Sequence, residues 1–152
     1  MRHIEKRLAA SLTAGRMAPE IDMPDPDGHR RTLTSLRGSV VMIDFWASWC
    51  RPCRMENPNV VRLYNKYHEA GFDIFSVSLD KERGAWLQAI QQDGLVWPNH
   101  VSDLQGWTST GGAAYGITSV PSTVLVDRQG RIIARDLRGS DLERKLIEIF
   151  GF

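Results

Sequence analysis

A chain of 152 residues with 42% hydrophobic and 24% charged residues has the make-up of one soluble globular domain, which excludes a disordered or collagen-like chain. With 19 Lys and Arg against 18 Asp and Glu, the formal net charge is +1, so nothing electrostatic points to nucleic acid or an anionic membrane. No apolar run approaches the roughly 20 residues of a membrane span. A chain of this size buries about two thirds of its unfolded surface and needs no disulfide framework. Its two cysteines, Cys50 and Cys53, could close only a very short loop, which removes little entropy from the unfolded chain. The pair therefore points to chemistry.

Residues 1–18 read as a peripheral segment or linker, with Ile4, Leu8 and Leu12 at the spacing of a short amphipathic helix. They lack the apolar core and cleavage site of a signal peptide, so they do not disclose a compartment. The domain is expected over 19–152. Asp25-Pro26-Asp27-Gly28 is a turn signal, and 21–34 reads as a hairpin ahead of the main fold, with Leu33 in its return strand. Val40 to Phe45 is apolar except for Asp44, the pattern of a strand covered on both faces. A helix is expected over 52–70, stopped by Gly71 and kinked at Pro58, which lacks the N–H for the Arg54 carbonyl. Phe72 to Leu79 reads as a strand and 82–93 as a helix. Val96-Trp97-Pro98 reads as a short strand and 111–115 as a short helix. Ser122 to Val126 and Arg131 to Arg135 form a hairpin across Asp127-Arg128-Gln129-Gly130. The last helix opens on Ser140 and Glu143, spaced as a capping box. Strand, helix, strand, helix, hairpin and helix make an α/β layered domain with a central mixed sheet, its first two main strands parallel.

Cys-x-x-Cys between a strand and a helix has a specific physical meaning. The helix N-terminus offers free N–H groups and about half a positive charge, so a thiolate there has a lowered pKa. Pro52 suits the first turn. Cys50 is expected at the exposed mouth and Cys53 one turn inward, so that one thiol attacks an external disulfide and the other resolves the mixed intermediate. Zinc would want four ligands, and His3, His29, His68 and His100 have no metal spacing, so neither metal nor cofactor is expected. A peroxidase would want Thr or Ser where Ala47 stands. An inert structural disulfide stays open. Asp44, six residues before Cys50 in a buried strand, is a candidate to exchange the proton of Cys53, because burial raises a carboxyl pKa. Glu56, three residues after Cys53, either shares that role or is a solvated helix residue. Pro121 stands between a loop and a strand, where a cis bond would leave the Val120 backbone free to pair with an extended peptide. Trp49 reads as an apolar rim beside Cys50, and Trp46 as packing.

The stretch Asp44-Phe45-Trp46-Ala47-Ser48-Trp49-Cys50-Arg51-Pro52-Cys53 is similar to the active site of thioredoxins, and Val120-Pro121-Ser122 resembles their cis-proline loop. Leu33-Thr-Ser-Leu-Arg-Gly38, Glu56 and the long segment between Leu79 and Pro121 resemble the extracytoplasmic TlpA/ResA-like branch. The resemblance implies a thioredoxin fold with an added N-terminal β-hairpin, and a thiol–disulfide oxidoreductase. It implies Cys50 as nucleophile, Cys53 as resolving thiol, Asp44 and Glu56 as acids, and Trp49, Val120 and a cis Pro121 against the substrate. It further implies protein disulfide substrates, a redox partner protein, and a periplasmic or membrane-tethered setting with the tether outside this stretch. Reduction is the expected direction; oxidation or isomerisation, and a binding domain with a structural disulfide, are the rivals.

Overall fold

The computed structural model describes residues 12–152. Ile4 and Leu8, the start of the expected amphipathic stripe, lie outside them. Leu12 is buried, and residues 15–18 run beside the last strand: Gly15 and Ala18 donate to the carbonyls of Ile132 and Gly130, and Ile132 donates to that of Arg16.

In chain order the elements are β1 (Asp22–Pro24), β2 (Arg30–Thr32), β3 (Val40–Trp46), α1 (Arg51–Tyr67), β4 (Phe72–Ser78), α2 (Arg83–Gln92), β5 (His100–Val101), α3 (Thr110–Ala114), β6 (Ser122–Val126), β7 (Ile132–Arg135) and α4 (Gly139–Phe150). The strands β1 and β2 form the hairpin expected ahead of the main fold. Asp25 fixes its turn, one carboxylate oxygen accepting the N–H groups of Asp27 and His29 and the other the Arg31 guanidinium, each at 2.9 Å. The return strand stops at Thr32. Leu33 still donates to the Ile21 carbonyl, but it opens a 3-10 turn to Leu36 that drops its side chain into the core.

The main sheet has the order β5–β4–β3–β6–β7, with β4 parallel to β3 and to β5, and β6 antiparallel to β3 and to β7. Alternation along β3 sorts its side chains between two cores. Val40, Met42 and Trp46 pack with Val60, Leu63 and Tyr67 of α1 and with Leu142 and Leu146 of α4. Val41, Ile43 and Phe45 pack on the opposite face with Ile21, Met23 and Tyr115. Gly111 lets α3 approach that face, since a Cβ there would stand 2.9 Å from the Met23 sulfur. Asp44 shares its parity with Met42 and Trp46, so β3 directs it toward α1.

Three local expectations differ from the structure. The strand near Val96 forms instead at His100–Val101. Trp97 is held by its side chain, whose Nε1 donates to Ser76 Oγ, and Pro98 has no N–H for a ladder. The capping box does not form: α4 starts at Gly139, and Glu143 pairs with the Arg62 guanidinium. The first long helix ends at Tyr67, with a 3-10 turn over His68–Ala70 before Gly71 in the left-handed region; Pro58 lies inside α1.

Candidate active site

The C-terminal end of β3 feeds a turn at Ala47–Trp49 into α1. Cys50 is the N-cap of that helix, in extended conformation, and Pro52 occupies its first turn. Cys50 and Cys53 are joined as a disulfide with a Cα separation of 5.3 Å. The Cys50 sulfur accepts the backbone N–H of Cys53 at 3.2 Å, the place that a Ser or Asp oxygen takes in an ordinary cap. The expectation of an exposed Cys50 is corrected: Cys50 is 4% and Cys53 2% exposed. Both belong to the core cluster on the α1 side of the sheet, so the helix cap, not exposure, distinguishes them.

Asp44 lies beneath the pair. Burial, reinforced by the charge of Glu56, pushes its carboxyl up to about 7, and no cation or hydrogen-bond donor offsets this among the described residues. Its neighbours across the sheet are Ser76 and Thr123. Asp44, Cys53, Glu56, Pro121, Thr123 and Arg138 line a cavity of about 10 Å³, large enough for one water molecule at most. Glu56 is half-buried, and its Oε2 accepts the backbone N–H of Gly139 at 2.8 Å and the Asn59 amide at 3.1 Å. It is therefore neither simply solvated nor free: it caps α4 and couples that helix to the cavity.

One buried group was missed by sequence reasoning. Asp80, just past β4, is almost wholly buried. It accepts the Ser48 N–H at 3.1 Å, the Ser48 hydroxyl, and the Ser78 hydroxyl at 2.6 Å. From the other side Arg54 donates to the Ser48 carbonyl at 2.9 Å while its fork holds Asp93. The turn carrying Cys50 is thus clamped between two elements. The available signal was an acid two residues beyond a buried strand that runs parallel to the one ending at the cysteines.

The Val120–Pro121 peptide is cis. Pro52, Val120, Pro121, Thr123, Asp136 and Arg138 line a mainly polar groove of about 430 Å³. Trp49 is 55% exposed, with its ring 5.9 Å from that of Trp107, whereas Trp46 is buried packing, as expected.

Residues 14–135 match the AhpC/TSA family. The chain belongs to that family. It is 32% identical over 122 residues to the thiol–disulfide oxidoreductase ResA of Bacillus thuringiensis (strain Al Hakam), covering 80% of this chain and 68% of the relative. ResA of Geobacillus kaustophilus (strain HTA426) is 31% identical over 142 residues, covering 91% and 79%. The thioredoxin domain of a thiol–disulfide oxidoreductase from Bacteroides vulgatus superposes with a TM-score of 0.84 at 34% identity, over 92% of this chain and 99% of that one.

This AhpC/TSA family member has the thioredoxin fold, a central mixed sheet flanked by helices with the hairpin β1–β2 added before it. It is a thiol–disulfide oxidoreductase, and Cys50 and Cys53 are its redox pair. Such an enzyme works on protein disulfides together with a redox partner. No helix among the described residues is long and apolar enough to cross a membrane.

Proposed function

We propose that this enzyme reduces protein disulfides, with Cys50 as the attacking thiol and Cys53 as the resolving one. The observation that carries the assignment is the Cys53 N–H directed at the Cys50 sulfur at the start of α1. A thiolate on Cys50 receives that N–H and the positive end of the helix, while Cys53 lies inside the first turn. The Cys50 thiolate attacks one substrate sulfur, the substrate S–S bond breaks, and a substrate thiolate leaves. Cys53 then gives its proton to the Asp44 carboxylate and attacks the Cys50 sulfur. The second substrate thiolate leaves, and two electrons have passed from the enzyme to the substrate. Asp44 suits this step because its affinity for a proton is matched to neutral pH. Glu56 acts on it through charge. Trp49, Val120 and Pro121 receive the substrate backbone around Cys50.

Direction follows from what stabilises the thiolate. Arg51 is exposed, and no histidine lies between the cysteines, so the helix end supplies most of the stabilisation. A potential nearer about −270 mV than about −120 mV is expected. Equilibration with glutathione measures the potential; a value above about −180 mV would make the enzyme a disulfide donor and overturn the reading. Cys53→Ser should accumulate mixed disulfides with substrate, and faster alkylation of Cys53 than of Cys50 would reverse the roles. A working place outside the cytoplasm, on a tether beyond this stretch, accords with the TlpA/ResA-like resemblance and with a compartment where protein disulfides persist. A reporter fused to the full gene product would place it, and signal confined to the cytoplasm would refute this.

A further inference from the structure

The mechanism uses Trp49 but leaves the groove on its Trp107 side without a role. Trp107 is 50% exposed on a 3-10 turn, Gly106–Thr108, within the long segment between Leu79 and Pro121. Its ring lies against that of Trp49, the residue preceding Cys50. Together with Leu79, Ala85 and the turn at Lys81 they line an open groove of about 340 Å³. The groove is mainly apolar, and the Lys81 stem lies across Gly106, which has no side chain to block it. Single exposed tryptophans are ordinary, but two in ring contact beside a reacting sulfur form a binding surface, and tryptophan is enriched among residues that dominate interfaces.

The turn that presents Trp107 is built rather than loose. Asp103 accepts the N–H groups of Gln105 and Thr110, the Thr108 hydroxyl donates to the Gln105 carbonyl, and the Ser102 hydroxyl accepts the N–H of Leu104. Leu104 is held at φ +58, a conformation that branched residues seldom adopt. The groove shares no lining residue with the polar one beside Pro121: Ser48 and Trp49, before Cys50, line the first, and Pro52, after it, lines the second.

We infer that Trp107 and Trp49 form a shelf for a bulky apolar side chain next to the cysteine of the partner polypeptide, making Trp107 a specificity-determining residue. The inference rests on the exchange reading above, because exchange itself brings the occupant. A polypeptide whose cysteine reaches the Cys50 sulfur must lay its flanking residues on the surface around it. The polar groove offers hydrogen-bonding and charged groups to one flank. The shelf offers mostly ring faces and aliphatic surface, although Ser48, Asp80, Lys81 and Glu82 also line the groove, and it rewards an aliphatic or aromatic side chain over a polar one.

The test uses symmetric disulfides of short peptides that differ only beside the cysteine, Leu against Ser, placed before or after it. The reduced enzyme should turn over one of the Leu peptides about tenfold faster in kcat/KM than its Ser counterpart, the size expected for one apolar contact. In Trp107→Ser this ratio should fall to within about twofold of unity. A wild-type ratio near one, or a ratio that survives Trp107→Ser, overturns the shelf while leaving exchange intact. Failure to reduce any disulfide, insulin included, overturns the exchange reading and the shelf with it. Sedimentation supplies the last arm: concentration-dependent dimerisation lost in Trp107→Ser would make the surface a contact between copies of this chain and refute the assignment to substrate.

Discussion

Asp44→Asn separates a buried proton carrier from a merely buried polar residue. The folded carboxyl has its pKa raised from 3.8 to about 7, by burial first and the charge of Glu56 second. For a carboxyl raised on folding, stability is fully present below the unfolded value and is lost as pH rises toward the folded one. The loss therefore begins near pH 4 and is complete a little above pH 7. About three pH units at about 1.4 kcal/mol each give roughly 4 kcal/mol at mildly alkaline pH. Asparagine matches the neutral acid in size and cannot ionise. The variant should gain about 4 kcal/mol over wild type between about pH 4 and pH 8, on top of a constant offset for burying an amide. Urea unfolding of the oxidised proteins measures this without interference from thiol titration. His100, held neutral to about 4 by burial, also titrates at the acid end, but it is present in both proteins and cancels in the difference. A stability difference flat from pH 4 to 8 would refute the raised pKa, and with it the proton-carrier role.

Two further substitutions test the surroundings of the pair. Glu56→Gln keeps an acceptor for the Gly139 N–H but removes the charge beside Asp44, so the pH–rate midpoint assigned to Asp44 should move down with little change in stability. Glu56→Ala should in addition lower the unfolding free energy measured in urea by about 1 kcal/mol through loss of the α4 cap; identical behaviour of the two variants would contradict the dual role. Asp80→Ala leaves the Ser48 N–H and the hydroxyls of Ser48 and Ser78 without their acceptor, and should destabilise by about 2–4 kcal/mol. Hydrogen exchange at Ser48 should accelerate beyond the global change, and an unaltered local rate would mean that Asp80 does not hold the turn.

The redox centre was legible in the sequence because its signals are local. Cys50-Arg51-Pro52-Cys53 after a buried strand specifies a helix start, and period-two alternation in β3 puts Asp44 on the α1 side. What the sequence hid depends on residues far apart in the chain. From sequence Glu56 reads either as a partner of Asp44 or as a solvated helix residue, and its hold on α4, more than eighty positions later, is not visible there. The capping box at Ser140 failed for the same reason: Arg62 from α1 took Glu143. The exposure of Cys50 was misjudged because sequence position reports the helix end, not what packs over it. The short strand near Trp97 was displaced because that tryptophan is fixed by a side-chain hydrogen bond to Ser76.

The acid beneath the dithiol also bears on the direction of electron flow. Forming the Cys50 thiolate in the reduced enzyme adds a second negative charge next to Cys53, which shares the small cavity with Asp44. Like charges raise each other's pKa, so an ionised Asp44 destabilises the reduced, thiolate form relative to the neutral disulfide. Electrons then leave the enzyme more readily, which is the behaviour of a reductant. Asp44→Asn should consequently make the potential less negative at alkaline pH, by about 30 mV for each pK unit of coupling in this two-electron couple. Below about pH 6, where Asp44 already holds its proton, the two potentials should converge. Titration against glutathione at two pH values reads the difference directly. A variant potential equal to or more negative than wild type at high pH would show that Asp44 does not feel the thiolate, and the electrostatic account of reduction would fall.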